Sequence, residues 1–252
     1  MLTDKTWKPE QLLRLLSGFL FCLGIGGVLS SLIQGEEAAK TDEGRFAGMV
    51  FFTVMLHGGG LLLVASFLRS HGLTWSQGFG FRDSPPFVAI ISGIVVAVVF
   101  LPAAWMLGQV SAVMMELLGT KPETQQAVQM LQKTTLPMQQ FFFGVMAVVM
   151  APVVEEIFFR GVFYTAIKQT GYRRTALWGS SLLFALIHAN VMTFLPLTVL
   201  ALVLVWLYER TGNLLSCIAA HAFFNLVNFV LLINQPAIEQ WLKGTQKALS
   251  GE

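Results

Sequence analysis

Charge is scarce in this chain. Asp, Glu, Lys and Arg together make up only 12% of it, roughly half the ~25% of an ordinary soluble domain. With 55% hydrophobic residues, that scarcity excludes a water-soluble globule. Cysteine is nearly absent too: Cys22 and Cys217 both lie in apolar runs, so no disulfide framework is expected and the redox compartment stays unread. The net charge of +2 is too small to recruit nucleic acid. No H-E-x-x-H helix, the usual sign of a zinc peptidase, occurs. Internal repeats and low-complexity tracts are also missing.

What the chain has in quantity is long hydrophobic runs. About 20 apolar residues cross the hydrocarbon core as a helix. Apolar windows near residues 12–33, 46–68, 87–107, 138–167, 174–190, 192–208 and 213–234 therefore predict an all-α, polytopic bundle of about seven membrane helices. The remaining loops leave no room for a soluble domain, so residues 1–252 read as one membrane domain. Lys5, Lys8 and Arg14 before the first run resemble a signal peptide. That run reaches Ile33, longer than a signal's h-region of roughly 7–15 residues, and no small-residue cleavage site follows. A retained first helix is the expectation.

Several local features qualify this layout. His57 precedes Gly58, Gly59 and Gly60, a run that lets helices approach closely, and packing is favoured over catalysis at His57. The third span is expected to continue toward Leu118, kinked at Pro102. Thr120, Lys121 and Pro122 look like the start of a short helix, with Val128 and Leu131 on its apolar side. A plain connector is the expected role there, against an interfacial or site-covering one. Positive charge favours a cytoplasmic N-terminus. Lys5, Lys8, Arg14, Arg69, Arg82, Lys168, Arg173, Arg174 and Arg210 then face inward, against Lys40, Arg45, Lys121, Lys133, Lys243 and Lys247 outside. The 168–174 cluster carries most of that argument.

Against this oily background, polar residues gather in the second half. Ionisable groups at membrane depth cost about 2.5–3.5 kcal/mol each on insertion scales, so they point to function. Glu155 and Glu156 are neighbours, about 100° apart on a helix. Arg160 lies four residues beyond Glu156, where helical side chains meet and charges neutralise. Glu155 is left without a partner on its own helix, free to accept a proton. Pro152, three residues earlier, removes a backbone donor and either opens a wet cavity beside Glu155 or makes an ordinary kink.

His188 follows Phe184 by one turn on the next span, where Phe184 can pack on its ring. His221 and Asn225 share one face of the last span. Both can donate to a single oxygen, as an oxyanion hole requires. Each of these residues alone could be interhelical glue. Three spans each bringing a polar face favour a site. Together they hold the parts needed to activate a water and break an amide bond.

In this order, Glu155-Glu156-x-x-x-Arg160, Phe184-x-x-x-His188 and His221-x-x-x-Asn225 resemble the CPBP family of CAAX proteases and bacteriocin-processing enzymes. The likeness is to its Ras-converting CAAX prenyl endopeptidase branch. It covers residues 138–234; residues 1–137 match only in hydrophobicity. The resemblance implies a glutamic-type intramembrane endopeptidase that needs no cofactor. In it Glu155 is the base, His188 its partner on the water, and His221 with Asn225 the oxyanion site. Glu156 and Arg160 are supporting charges. The implied substrate is a peptide or protein, lipidated in the prenyl branch, met in a prokaryotic plasma membrane; the sequence sets no oligomeric state.

Other readings compete. Glu155, His188 and His221 could supply the three ligands of a catalytic zinc. Cys217, one turn before His221, could form a thiol pair with it. A non-catalytic immunity or scaffold protein, or a transporter with a proton relay, would use the same kind of bundle. The first is disfavoured because no motif residue is lost, the second because no inverted repeat is seen.

Overall fold

The computed structural model describes residues 7–38, 41–82, 84–134 and 136–250, and all regular structure among them is helical. In chain order the helices are α1 (Pro9–Ala38), α2 (Asp42–Ser70), α3 (Trp75–Phe79), α4 (Pro86–Leu117) and α5 (Gln126–Lys133). There follow α6 (Pro137–Gln169), α7 (Arg173–Leu186), α8 (Val191–Thr211), α9 (Leu214–Ile233) and α10 (Gln235–Ser250). Six of these, α1, α2, α4, α6, α8 and α9, are long and apolar enough to cross a bilayer. The protein is an integral membrane protein.

The sequence windows suggested one span more. The window at 174–190 becomes α7, a helix of 14 residues, or about 21 Å at 1.5 Å per residue, short of the ~30 Å core. It stops because the chain turns after Leu186. Ala189 adopts a positive φ of 48°. The Asn190 side chain then accepts from the Thr193 amide at 2.9 Å and starts α8. His188 consequently sits in a break between helices, not along a span.

α6 is the unusual helix. It is continuous over 33 residues but widens into π-helical turns at Met146–Met150 and Ile157–Tyr164, flanking the α segment Ala151–Glu156. Pro152 gives the physical reason for the first. It has no N–H and its ring crowds the carbonyl four residues back, so a wider turn before it relieves the clash. The expected kink at Pro152 thus takes the form of a π turn. α4 extends through Pro102 to Leu117, as the sequence suggested.

Close packing relies on a few glycines. A Cβ at Gly59 would lie 2.9 Å from the Cys22 Sγ, so α1 and α2 meet closely there. His57 Nδ1 donates to the Thr53 carbonyl of its own helix at 2.8 Å. The tightest approach is at Gly93 of α4, where a Cβ would fall 2.3 Å from the Ser216 carbonyl oxygen of α9 and 2.9 Å from the Ala220 nitrogen. α9 carries His221 immediately after Ala220. Gly93→Ala is therefore expected to push α4 from α9, costing about 1–3 kcal/mol as overpacking does. A lowered thermal midpoint in detergent would show it, and an unchanged midpoint would contradict the contact.

One end of the bundle gathers charged side chains around Glu209. The Trp7 amide donates to Gln169 Oε1 at 2.6 Å, and Glu209 receives Lys168, Tyr164 and Arg173. Lys5 and Lys40 lie outside the described residues. At the opposite end, α5 begins at Gln126 rather than at Thr120. The preceding segment is strapped to the α7–α8 turn. Asn190 Nδ2 donates to the Glu123 carbonyl at 2.8 Å, and Gln125 Nε2 to Thr193 Oγ1 at 3.0 Å. It is more than a plain connector, since both partners lie within five residues of His188.

Candidate active site

Most of the large residues facing outward are apolar, as lipid demands, while the polar groups turn inward. At the α segment of α6, Glu156 is fully buried and Arg160 is 1% exposed. Arg160 Nη1 donates to Glu156 Oε1 at 2.8 Å, the pairing that the i,i+4 spacing predicts. A second arginine nitrogen, Nη2, donates to the Ala201 carbonyl of α8 at 3.3 Å. The guanidinium also stacks over Phe184, 4.6 Å from the ring centroid. An unpaired charge this deep would be strongly destabilising, and the ion pair answers that cost, although Glu156 Oε2 has no hydrogen-bond partner.

Glu156 has another partner that the spacing alone did not reveal. His221 Nδ1 lies 2.8 Å from the same Oε1. A carboxylate can only accept, so Nδ1 carries the proton and Nε2 is turned toward Glu155. His188 shows the same logic. Its Nδ1 donates to the Phe184 carbonyl at 2.7 Å, which leaves Nε2 bare in the neutral ring. Phe184 packs on both histidines, with centroid distances of 4.9 Å to His188 and 5.7 Å to His221. The Phe184–His188 packing was legible in the sequence; the contact with His221 was not.

Glu155 Oε2 stands between the two rings. It lies 4.0 Å from His188 Nε2 and 4.0 Å from His221 Nε2, and it is buried without a hydrogen-bond partner. These separations are too long for direct hydrogen bonds. A water about 2.8 Å from each of two acceptors, with roughly a right angle between them, gives that spacing. Two imidazole nitrogens thus stand at equal distance from one unpartnered carboxylate oxygen.

Asn225, on the same helix face as His221, donates from Nδ2 to the Ala147 carbonyl of α6 at 2.8 Å. One amide N–H is thereby used in a bond between helices. Cys217 is fully buried and its thiol donates to the Leu204 carbonyl at 3.2 Å. That is the setting of an inert apolar cysteine, so the thiol reading finds no support.

The zinc reading was tested on the donors themselves. A carboxylate and two imidazole Nε2 atoms, with their Nδ1 atoms held by second partners, are suitable in kind. Zinc bond lengths of about 2.0–2.2 Å in a tetrahedron would place ligand atoms roughly 3.3 Å apart. The observed separations of 4.0 Å are wider. Among the described residues no group of three His, Cys, Asp or Glu is arranged to hold a metal. As placed, the residues do not fit the ion.

Two adjacent carboxylates thus face two histidines within a helical membrane bundle. Residues 137–227 match the model of the type II CAAX prenyl endopeptidase Rce1-like family. This stretch, from α6 to most of α9, is an Rce1-like domain, and it contains every residue of the site. The chain is also similar to two curated proteins of Lactococcus lactis subsp. lactis (strain IL1403). UPF0177 protein YxdF is 28% identical over 89 residues, 35% of this chain and 46% of that protein. UPF0177 protein YaiF is 33% identical over 86 residues, 32% of this chain and 37% of that protein. The match thus spans less than half the length of either relative. No solved structure matches the chain.

Proposed function

We propose that the protein is an intramembrane endopeptidase that hydrolyses a peptide bond with a water activated by Glu155 and His188. The observation that carries this reading is the unpartnered Glu155 Oε2, placed 4.0 Å from two imidazole nitrogens in a buried site. Glu155 takes one proton from the water as the water oxygen attacks the carbonyl carbon, and the water's other O–H donates to His188 Nε2, which fixes its orientation. The carbonyl oxygen gains negative charge in the tetrahedral intermediate. His221 can stabilise it from Nε2 when the ring is an imidazolium, since Nδ1–H is committed to Glu156. Asn225 retains a second amide N–H for the same oxygen. When the C–N bond breaks, its electron pair goes to nitrogen, and the proton held on Glu155 passes to the leaving amine.

The substrate we propose is a peptide presented from the bilayer, with a prenylated CAAX-type C-terminus as the first candidate, in keeping with the family that residues 137–227 match. The decisive experiment uses purified protein in nanodiscs and a quenched farnesylated CAAX peptide. Cleavage that persists under exhaustive chelation supports the reading. Loss of cleavage with chelator and recovery with added zinc would transfer the site to metal chemistry. If no cleavage is seen, membrane proteomics of wild-type and Glu155→Ala cells tests other peptides. Identical proteomes would favour a non-catalytic role.

The N-terminus is proposed to face the cytoplasm. Lys168, Arg173 and Arg174 then lie on the inner side, with Glu155 about 20 Å into the membrane from Lys168 along α6. A cysteine introduced at Gly171 should react with an impermeant reagent only after the membrane is opened. Labelling in intact cells would reverse the orientation.

A further inference from the structure

The first π turn of α6 leaves a backbone group without a helical partner. The Ala151 amide bonds the Met146 carbonyl, five residues back, instead of the Ala147 carbonyl that an α-helix would give it. If the π pattern continued, the Ala147 carbonyl would receive the amide of residue 152. Residue 152 is proline and has none. Neither ladder can therefore satisfy Ala147, although a carbonyl at membrane depth must find a donor. It finds one across the bundle, in the Asn225 Nδ2 at 2.8 Å.

We propose that Asn225 is a positioning residue: it fills the carbonyl that Pro152 and the π turn leave open at Ala147, and so fixes the turn of α6 that presents Glu155 to His221. Three observations meet here. Asn225 lies one turn beyond His221 on α9, so its bond and the Glu156–His221 bond tie the same two helices at two points. Glu155 lies between those two points on α6. The π turn also sets the rotation of the segment that follows it. If the Ala151 amide returned to Ala147, the inserted residue would be lost from the turn and Glu155 would swing by about 100° relative to the helix before it. Asn225 occupies the acceptor which that rearrangement requires. The proposal gives Asn225 a function that holds whether or not its other N–H reaches the substrate, and only its catalytic consequence rests on the peptidase reading.

A double-mutant cycle between Asn225→Ala and Pro152→Ala tests it, because Pro152→Ala restores an amide that can bond Ala147 from within α6. With Pro152 present, Asn225→Ala should lower the thermal midpoint of the purified protein by several degrees. In the Pro152→Ala background the same change should cost much less. In the peptide assay, kcat per folded molecule should fall in Asn225→Ala, with KM nearly unchanged. Should Asn225→Ala fail to fold, folding of the double variant is the same rescue. Equal midpoint losses in both backgrounds overturn the proposal. The midpoint arm needs no substrate, so its result stands apart from the failure or success of the peptidase reading.

Discussion

Glu155→Gln is expected to abolish hydrolysis while leaving insertion and the thermal midpoint close to those of the unmodified protein. The amide keeps the shape of the carboxylate but cannot take the proton of water. Loss of a general base typically costs 10²–10⁴ in rate, about the range from weak residual turnover to none detectable. The structure explains why stability should be spared. Glu155 Oε2 has no hydrogen-bond partner, and its two nearest imidazole nitrogens are 4.0 Å away, so no established bond is broken. The check is kcat on folded protein of known concentration. Near-normal turnover in Glu155→Gln would remove Glu155 from the chemistry.

The neighbouring carboxylate should behave in the opposite way. Glu156→Gln is expected to collapse the folded yield, because it leaves the buried Arg160 charge unpaired. Breaking one side of such a pair typically costs about 3–5 kcal/mol. Arg160→Met should do comparable damage by stranding Glu156, which would then keep only its bond to His221. Removing both charges is the informative case. Glu156→Gln with Arg160→Met should recover much of the yield, since an apolar or neutral pair of similar volume is tolerated in place of a buried ion pair. Activity should stay low in that double variant, because the His221 ring loses the carboxylate that faces its Nδ1 and supports its cationic form. Measuring folded fraction and kcat on the same samples separates these effects. Restored activity would mean that Glu156 serves Arg160 alone.

These contrasting expectations for adjacent glutamates show how far the sequence reaches. The Glu156–Arg160 pair was legible because i,i+4 spacing is a property of a single helix, and the structure keeps it at 2.8 Å. The all-helical membrane architecture followed from composition and the long apolar runs, for the lipid core admits little else. The window at 174–190 yields the shorter helix α7, because hydrophobicity reports burial in lipid or protein alike. It could not reveal that the helix ends before the turn at Ala189 and Asn190. α10 escaped notice for the opposite reason: residues 235–250 are too polar for a span.

By itself the sequence determined which residues are ionisable within the apolar runs, their order along the chain, and the helix faces they share. Those follow from the fixed geometry of one helix. Tertiary structure alone decided that His221 turns Nδ1 to Glu156 and Nε2 to Glu155, that His188 sits in a break, and that Asn225 reaches Ala147. Each depends on the rotation and depth of one helix against another. Such placement is set by packing at contacts like Gly93 against Ser216 and by carbonyls that must be satisfied away from water. No pattern along a single helix encodes it.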